Sequence, residues 1–414
     1  MKMETGMALS IVAIILAAGG LGYTAVSIGP ISSDISSLRA ELQTAQKESK
    51  AQADATEKAL AETTAALAES EALLKEITTY DRELVAAALK EGALTIYSVR
   101  DQEDLVLFAQ NFQKEFPGIK VTFLTAKNPE LISRITAELK ANQQTWDIYD
   151  GSVTAGRLIV ESGASQPYTS TQATPELFPL LDPTGNLNFF GATIPVFIYN
   201  PNLVTDDELK LIKSLKTWDD LSKPGFIETF KGRVLMDHPS RGGPHAQVLA
   251  ELQTYWNDDN KWQAHMEGLA KLEPRLFKST GQLGRLVEAE EGAVGIIGLL
   301  HDVLAGREVG APREFQPLSP LVSNPSVAIV AKLAPHPNAA KLFVEWIMSP
   351  DGQATYGSTL RSPIRLGFVH PSSLGVLFPD VSPDDIVATN NHEYHFVDTT
   401  KFIRDNYEPL FGPA

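Results

Sequence analysis

Cysteine is absent from all 414 residues. Disulfides, thiol chemistry, thiolate zinc sites and a cysteine-linked lipid are thereby excluded. A chain of this length buries a core large enough to do without such staples. Positive charge is scarce: 35 Lys and Arg stand against 51 Asp and Glu, a formal net charge of -16. Such a balance argues against nucleic acid or anionic lipid as partners while permitting a local positive cleft. Catalytic signatures are missing as well, since no G-x-S-x-G, P-loop or H-E-x-x-H spacing occurs. His238 with His245, and His392 with His395 beside Glu393, match no zinc spacing and read as turn or surface histidines. Glu290 and Glu291, next to Gly292, read as a polar turn. No enzyme and no cofactor is indicated.

Long apolar runs are lacking save one. Met7 to Ile28 carries no charge, and about 20 residues suffice to cross a bilayer core. It reads as a retained single-pass anchor that leaves the bulk of the chain outside the cell membrane. A cleaved signal is the alternative, because Lys2 against Glu4 gives little orientation. From Ile31 to about Leu89, Gly and Pro are missing and helix formers dominate. Leu60, Leu67 and Leu74 make a sparse heptad seam. The region reads as a helical stalk reaching about 90 Å if continuous, with a partly disordered acidic spacer as the alternative.

From Gly92 the chain alternates strands and helices. "GALTIYSV", "IKVTFLTA" and "WDIYDGS" read as strands. The amphipathic runs "DLVLFAQNFQKEFPG" and "NPELISRITAELKAN" separate them. This βαβαβ pattern predicts a parallel sheet, with ligands outside the carboxyl ends of its strands. Ser98 and Arg100 fall at the first such end and Asp150 and Ser152 at the third. Asp150 reads equally as a helix cap, and Arg100 as a surface partner of Asp101, Glu103 or Asp104. "GATIPVFIYN" reads as a long strand leaving this unit. A second α/β lobe comes next, with a strand at Val234–Met236, a helix in "HAQVLAELQTYW" and a strand and helix in "GAVGIIGLLHDVLAGRE".

Between Asp237 and His245 lies a Gly-rich polar loop that opens a helix. Ser240 offers a hydroxyl, Arg241 a bidentate clamp, and Gly242 close backbone approach to an anion; a plain turn is the alternative. Arg361 and Arg365 flank Pro363 and complete a positive cleft, or Arg365 joins two segments through an acidic partner.

Six stretches in register carry a resemblance across two-thirds of the chain. Among them are "LTIYSVRDQEDLVLFAQNFQKEFPGIKVTF", "TWDDLSKPGF", "GRVLMDHPSRGG" and "APHPNAAKLFVEWIMSPDGQATYG" with "RSPIRLG". Together they resemble the extracellular solute-binding component of an ABC importer, of the group that includes binders of iron(III), thiamine and phosphonates. The resemblance implies a two-lobe α/β periplasmic-binding fold of type II with two crossover strands, preceded here by the transmembrane helix and stalk. The expected organisation is an anchor or signal over 1–30 and a stalk over 31–90. Lobe 1 takes 91–195 plus about 325–367, lobe 2 takes 196–324, and 368–414 packs on the lobes.

It further implies a small anionic solute, phosphorylated or carboxylated, delivered to a permease with a cytoplasmic ATPase. The ligand-binding set is Ser98, Arg100, Ser152, Ser240, Arg241, Gly242 and Arg365. Iron-binding members carry adjacent tyrosines where this chain has about Leu299 and Leu300, and Tyr97 and Tyr149 do not replace them. Iron carried with a small anion stays open. An iron(III)-binding transporter component and a tethered sensor module are the alternatives, and an α/β hydrolase lacks a nucleophile–base pair.

Overall fold

The computed structural model describes residues 36–47, 50, 53–54, 58, 80–241, 243–379, 381, 385–388 and 397–414. The chain divides into two units, Met1–Thr79 and Tyr80–Ala414. Within the first, residues 36–47 are helical and exposed, with Leu38 and Leu42 in solvent.

The expectation of a membrane-spanning helix and a continuous stalk is corrected. No helix among the described residues is long and apolar enough to cross a membrane, and 7–28 lies outside those residues. The last turns of the expected stalk belong to the folded body instead. Asp81 caps helix α1 (Arg82–Glu91) by accepting from Glu83 N and Leu84 N, and Gly92 ends it at φ 68°. Ala88 is wholly buried, and the Glu91 carboxylate receives the backbone N–H groups of Asn338 and Ala339. The fold that the described residues support is that of the two-lobed body. The membrane as a partner and the single-pass placement rested on that helix and are corrected with it, since no described residue supports them.

Lobe 1 is built as the alternation predicts: β1 (Ala93–Ser98), α2 (Gln102–Glu115), β2 (Lys120–Thr125), α3 (Asn128–Lys140), β3 (Ile148–Ser152) and α4 (Val153–Glu161). β1 pairs in parallel with both β2 and β3. The chain then runs to β4 (Asn188–Thr193) and crosses at Ile194 into β5 (Pro195–Tyr199). The sequence "GATIPVFIYN", read as one strand, is thus two strands of two different sheets.

Lobe 2 holds α5 (Asp206–Ser214), α6 (Pro224–Phe230), β6 (Val234–Asp237), α7 (Gly243–Trp256), α8 (Asp259–Lys271), β7 (Arg275–Phe277), α9 (Thr280–Glu288), β8 (Val294–Leu299), α10 (Leu300–Glu308) and β9 (Glu314–Gln316). Its sheet order is β7-β6-β8-β5-β9. Residues alternate across it with period two. Phe197 and Tyr199 face one apolar cluster with Trp218 and Trp262. Val196 and Ile198 face the other with Leu283, Val287 and Leu300.

The second crossing returns through 317–320 into β10 (Leu321–Val330), which lies antiparallel between β3 and β4. Asn324 pairs with Thr193, so the two crossings run side by side. α11 (Pro337–Met348), α12 (Pro350–Gly357) and β11 (Ser362–Pro363) complete lobe 1. The C-terminal segment then touches both halves. Phe378 packs in the first core cluster, β12 (Ile386–Ala388) pairs with the start of β10, and Phe402 and Tyr407 are buried in the lobe 2 cluster.

One buried carboxylate ties the long 162–187 connection to α11. Glu345, 3% exposed, accepts from Tyr168 OH, Ser170 Oγ, Thr171 N and Thr171 Oγ1 at 2.6–2.9 Å. Glu345→Ala orphans four donors and is expected to cost roughly 2–4 kcal/mol, with Glu345→Gln costing less. Denaturant unfolding of the two variants checks this.

Candidate ligand cleft

The strand ends of both lobes meet at a cleft of about 770 Å³, within the range of small-molecule sites. Lobe 1 supplies Arg100, Asn128 and Ser152, the crossings supply Thr193, Asn324 and Ser326, and Arg361 closes one side. Lobe 2 supplies Gln282, Arg285, His301, Asp302 and Arg313.

The lobe 1 wall is pre-paired. Arg100 lies bidentate on Asp150, Nε to Oδ2 at 2.7 Å and Nη2 to Oδ1 at 3.0 Å. Ser98 Oγ donates to the same Oδ2 at 2.8 Å. Phe108, Phe190 and Tyr356 surround the guanidinium at 4.9–5.6 Å. Burial alone would lower the Arg100 pKa, but the Asp150 carboxylate outweighs it and holds the guanidinium charged. Ser152 caps α4 by accepting from Ala155 N and receives Asn128 Nδ2 at 3.1 Å. Asn128 Oδ1 in turn accepts from Tyr149 OH. Arg361 pairs with Asp104.

The lobe 2 wall is not. Arg313, 8% exposed, sits in a slot made by two glycines. A Cβ at Gly306 would lie 1.8 Å from its Nε, and one at Gly284 would lie 3.1 Å from its Nη1. Its nearest carboxylate, Glu288, stands 3.7 Å away, beyond hydrogen-bond length. Ile297 has φ 61°, a strained conformation for a β-branched residue. It lies just upstream of the point where Leu299, His301 and Asp302 reach the cleft. Burial, with Arg361 and Arg100 nearby, drives the His301 pKa well below its usual value, so the ring is neutral. Burial raises the Asp302 carboxyl to about 6, with Asp101 adding to the rise and Arg313, Arg361 and Arg285 opposing it.

The residues expected from sequence separate into groups. Arg100 and Ser152 line the cleft, and Ser98 lies fully buried behind Arg100. Ser240 and Arg241 are not among the lining residues: Ser240 Oγ donates to Gly412 O at 2.7 Å, and Arg241 is exposed. Gly242, His392 and His395 lie outside the described residues. Arg365 turns to a second, apolar cavity of about 640 Å³. There its Nη1 donates to Gln172 Oε1 and Met348 O, so it joins segments through neutral acceptors rather than an acid. His245 is buried and its pKa falls to about 3 for that reason.

Sequence reasoning missed Arg285, His301, Asp302 and Arg313. His301 and Asp302, at the start of α10, come directly after a strand end, the same signal that found Ser152; Arg313 carries no such signal. Among the described residues no His, Asp or Glu group of three can hold a metal. Among them, too, no tyrosine lines the cleft, Leu299 lines it, and Leu300 is buried.

The sequence profile described as "Bacterial extracellular solute-binding protein" matches residues 97–354. Among solved structures, the periplasmic binding protein AfuA from Actinobacillus pleuropneumoniae, with exogenous fructose-6-phosphate bound, is 22% identical. Its TM-score is 0.60, over 78% of this chain and 99% of that one. Iron-bound HitA from Pseudomonas aeruginosa is 19% identical at TM-score 0.60, over 76% and 98%. Trichodesmium FutA, in complex with iron and citrate ligands, is 21% identical at TM-score 0.57, over 78% and 100%. At these identities the likeness is one of fold.

The buried charges of the two walls make their removal measurable. Arg100→Ala leaves Asp150 charged and uncompensated and is expected to cost about 3–5 kcal/mol in thermal or denaturant unfolding. For Asp302 the folded carboxyl titrates above its unfolded value of 3.8. Its contribution to stability is therefore full below about pH 4 and lost as pH rises through about 6. Asp302→Asn is expected to melt like the parent at about pH 4 and to exceed it by roughly 1–3 kcal/mol above about pH 7, as calorimetric melts across that range will show.

Proposed function

Because this chain belongs to the bacterial extracellular solute-binding protein family, we propose that its cleft captures a small oxyanion-bearing solute for an ABC importer. The chain is a transport binding component, not an enzyme. Iron(III), where it is cargo, enters as a complex with such an anion rather than on protein tyrosinates. One observation carries the reading: among the described residues four arginines line the cleft against two aspartates, and no tyrosine does. Arginine forks match carboxylate and phosphate geometry, whereas bare ferric ion wants a full set of hard anionic oxygens, and here two carboxylates and no tyrosine line the cleft. The solved neighbours hold ligands of both kinds, and those of FutA and AfuA include an oxyanion. HitA is iron-bound, FutA holds iron with citrate, and AfuA holds a sugar phosphate.

A solute that touches both walls binds most tightly when the walls approach, so capture would shift the population toward closure. The permease and its ATPase are the partners this role implies. The purified protein, titrated calorimetrically with citrate, ferric citrate and a hexose phosphate, is expected to bind at least one. Arg313→Ala is expected to weaken that binding by about tenfold or more, roughly 1.4 kcal/mol. Ferric loading is expected to give no tyrosinate-to-iron colour. A visible charge-transfer band, or unchanged affinity in Arg313→Ala, would refute the reading.

A further inference from the structure

Three buried side-chain atoms of lobe 2 have no hydrogen-bond partner among the described residues: Arg313 Nε, Asp302 Oδ2 and His301 Nδ1. All three residues line the same cleft. Folded proteins pair nearly all such atoms, and a bare buried carboxylate oxygen is costly. These groups do not satisfy one another. His301 Nε2 stands 3.7 Å from Asp302 Oδ1, too far for a hydrogen bond. Yet they are neighbours, because a Cβ at Gly284 would meet Arg313 Nη1 at 3.1 Å and Asp302 Cβ at 3.6 Å. The Arg313 guanidinium and the Asp302 Cβ thus both lie against one backbone position.

An anion alone does not complete this wall. It accepts from Arg313, but an ionised Asp302 is itself an acceptor and repels it. Asp302 needs a donor from the solute. An ammonium would serve the carboxylate but faces Arg285 and Arg313 around the same cavity, while Arg100 and Arg361 are already held by Asp150 and Asp104. A hydroxyl is neutral, donates to a carboxylate, and pairs with either nitrogen of a neutral imidazole. We propose that the solute is a hydroxylated oxyanion, a hydroxy acid or polyol phosphate, whose hydroxyls are read by Asp302 and His301 while the arginines hold its anionic group. This rests on the oxyanion reading and narrows it to a chemical class.

The test compares probes that differ only in their hydroxyl groups, one in the first pair and two in the second. The full chain is titrated with citrate against tricarballylate and with glycerol 3-phosphate against propyl phosphate, with inorganic phosphate as the anion-only probe. The expected result is a preference of about tenfold or more for the hydroxylated member of a pair, as a site built to pair a hydroxyl rejects the analogue lacking it. Asp302→Ala is expected to reduce that preference to about twofold or less while leaving affinity for inorganic phosphate equal or higher, since a like charge is removed. A merely structural role would weaken every probe together. Equal affinities within both pairs in the parent protein overturn the inference and leave the oxyanion reading standing. So does a preference that persists in Asp302→Ala and in Asp302→Leu, both checked as folded by circular dichroism. If none of the five probes binds, inorganic phosphate included, the oxyanion reading fails and this inference with it.

Discussion

The buried pair between Arg100 and Asp150 is the constraint on which the cleft depends. It joins the carboxyl ends of β1 and β3, and Asp150 is itself in register with Ser98 on one side and Ala328 of β10 on the other. The guanidinium is packed against rings from α2, β4 and α12. A single ion pair therefore fixes the relative positions of six elements at the rim of the cleft. Its worth is not a large net stabilisation, because desolvating two charges offsets most of their attraction. Its worth is that either partner alone is intolerable, so the rim has one low-energy arrangement.

That rigidity on one wall contrasts with the other. Lobe 1 meets the cleft with groups whose hydrogen bonds are already made: Ser152 caps a helix, Asn128 holds Tyr149, and Arg361 holds Asp104. Lobe 2 meets it with Arg313, Asp302 and His301, each with an atom left over. The unpartnered cleft atoms are thus mostly on the lobe 2 side, with Asn324 Oδ1 of the second crossing beside them, while lobe 1 supplies shape and a fixed field. A polar cleft of this kind gains little from apolar burial and most from replacing water at atoms that are poorly served without a guest.

Much of this was legible in the residues, and the exceptions have physical causes. Local periodicity reveals β1 to α4, since each strand and helix is specified within its own dozen residues. The strand-end rule reaches Arg100 and Ser152 for the same reason. It would have reached His301 and Asp302, which leave β8 as Ser152 leaves β3. Arg313 was hidden because its place is made by Gly284 and Gly306, two positions whose significance is the space they leave. Ser240 misled because its partner, Gly412, is 172 residues away. Arg361 and Arg365 stand close in sequence, yet β11 ends at Pro363 and the chain turns, sending the second arginine to another cavity. Burial of this kind is a property of the whole fold, and no local pattern encodes it.

The C-terminal segment carries a consequence for how the protein is made. Lobe 1 needs β10, α11 and α12, which come after the whole of lobe 2 in the chain. Lobe 2 needs Phe402 and Tyr407, whose hydroxyl reaches back 161 residues to Ala246 O. Neither half is contiguous, so neither can close its core until segments distant in the chain have been made. Contacts of such long sequence separation also slow the search for the native state. Lobe 1 therefore stays open until α12 has been made, and lobe 2 until Tyr407 has.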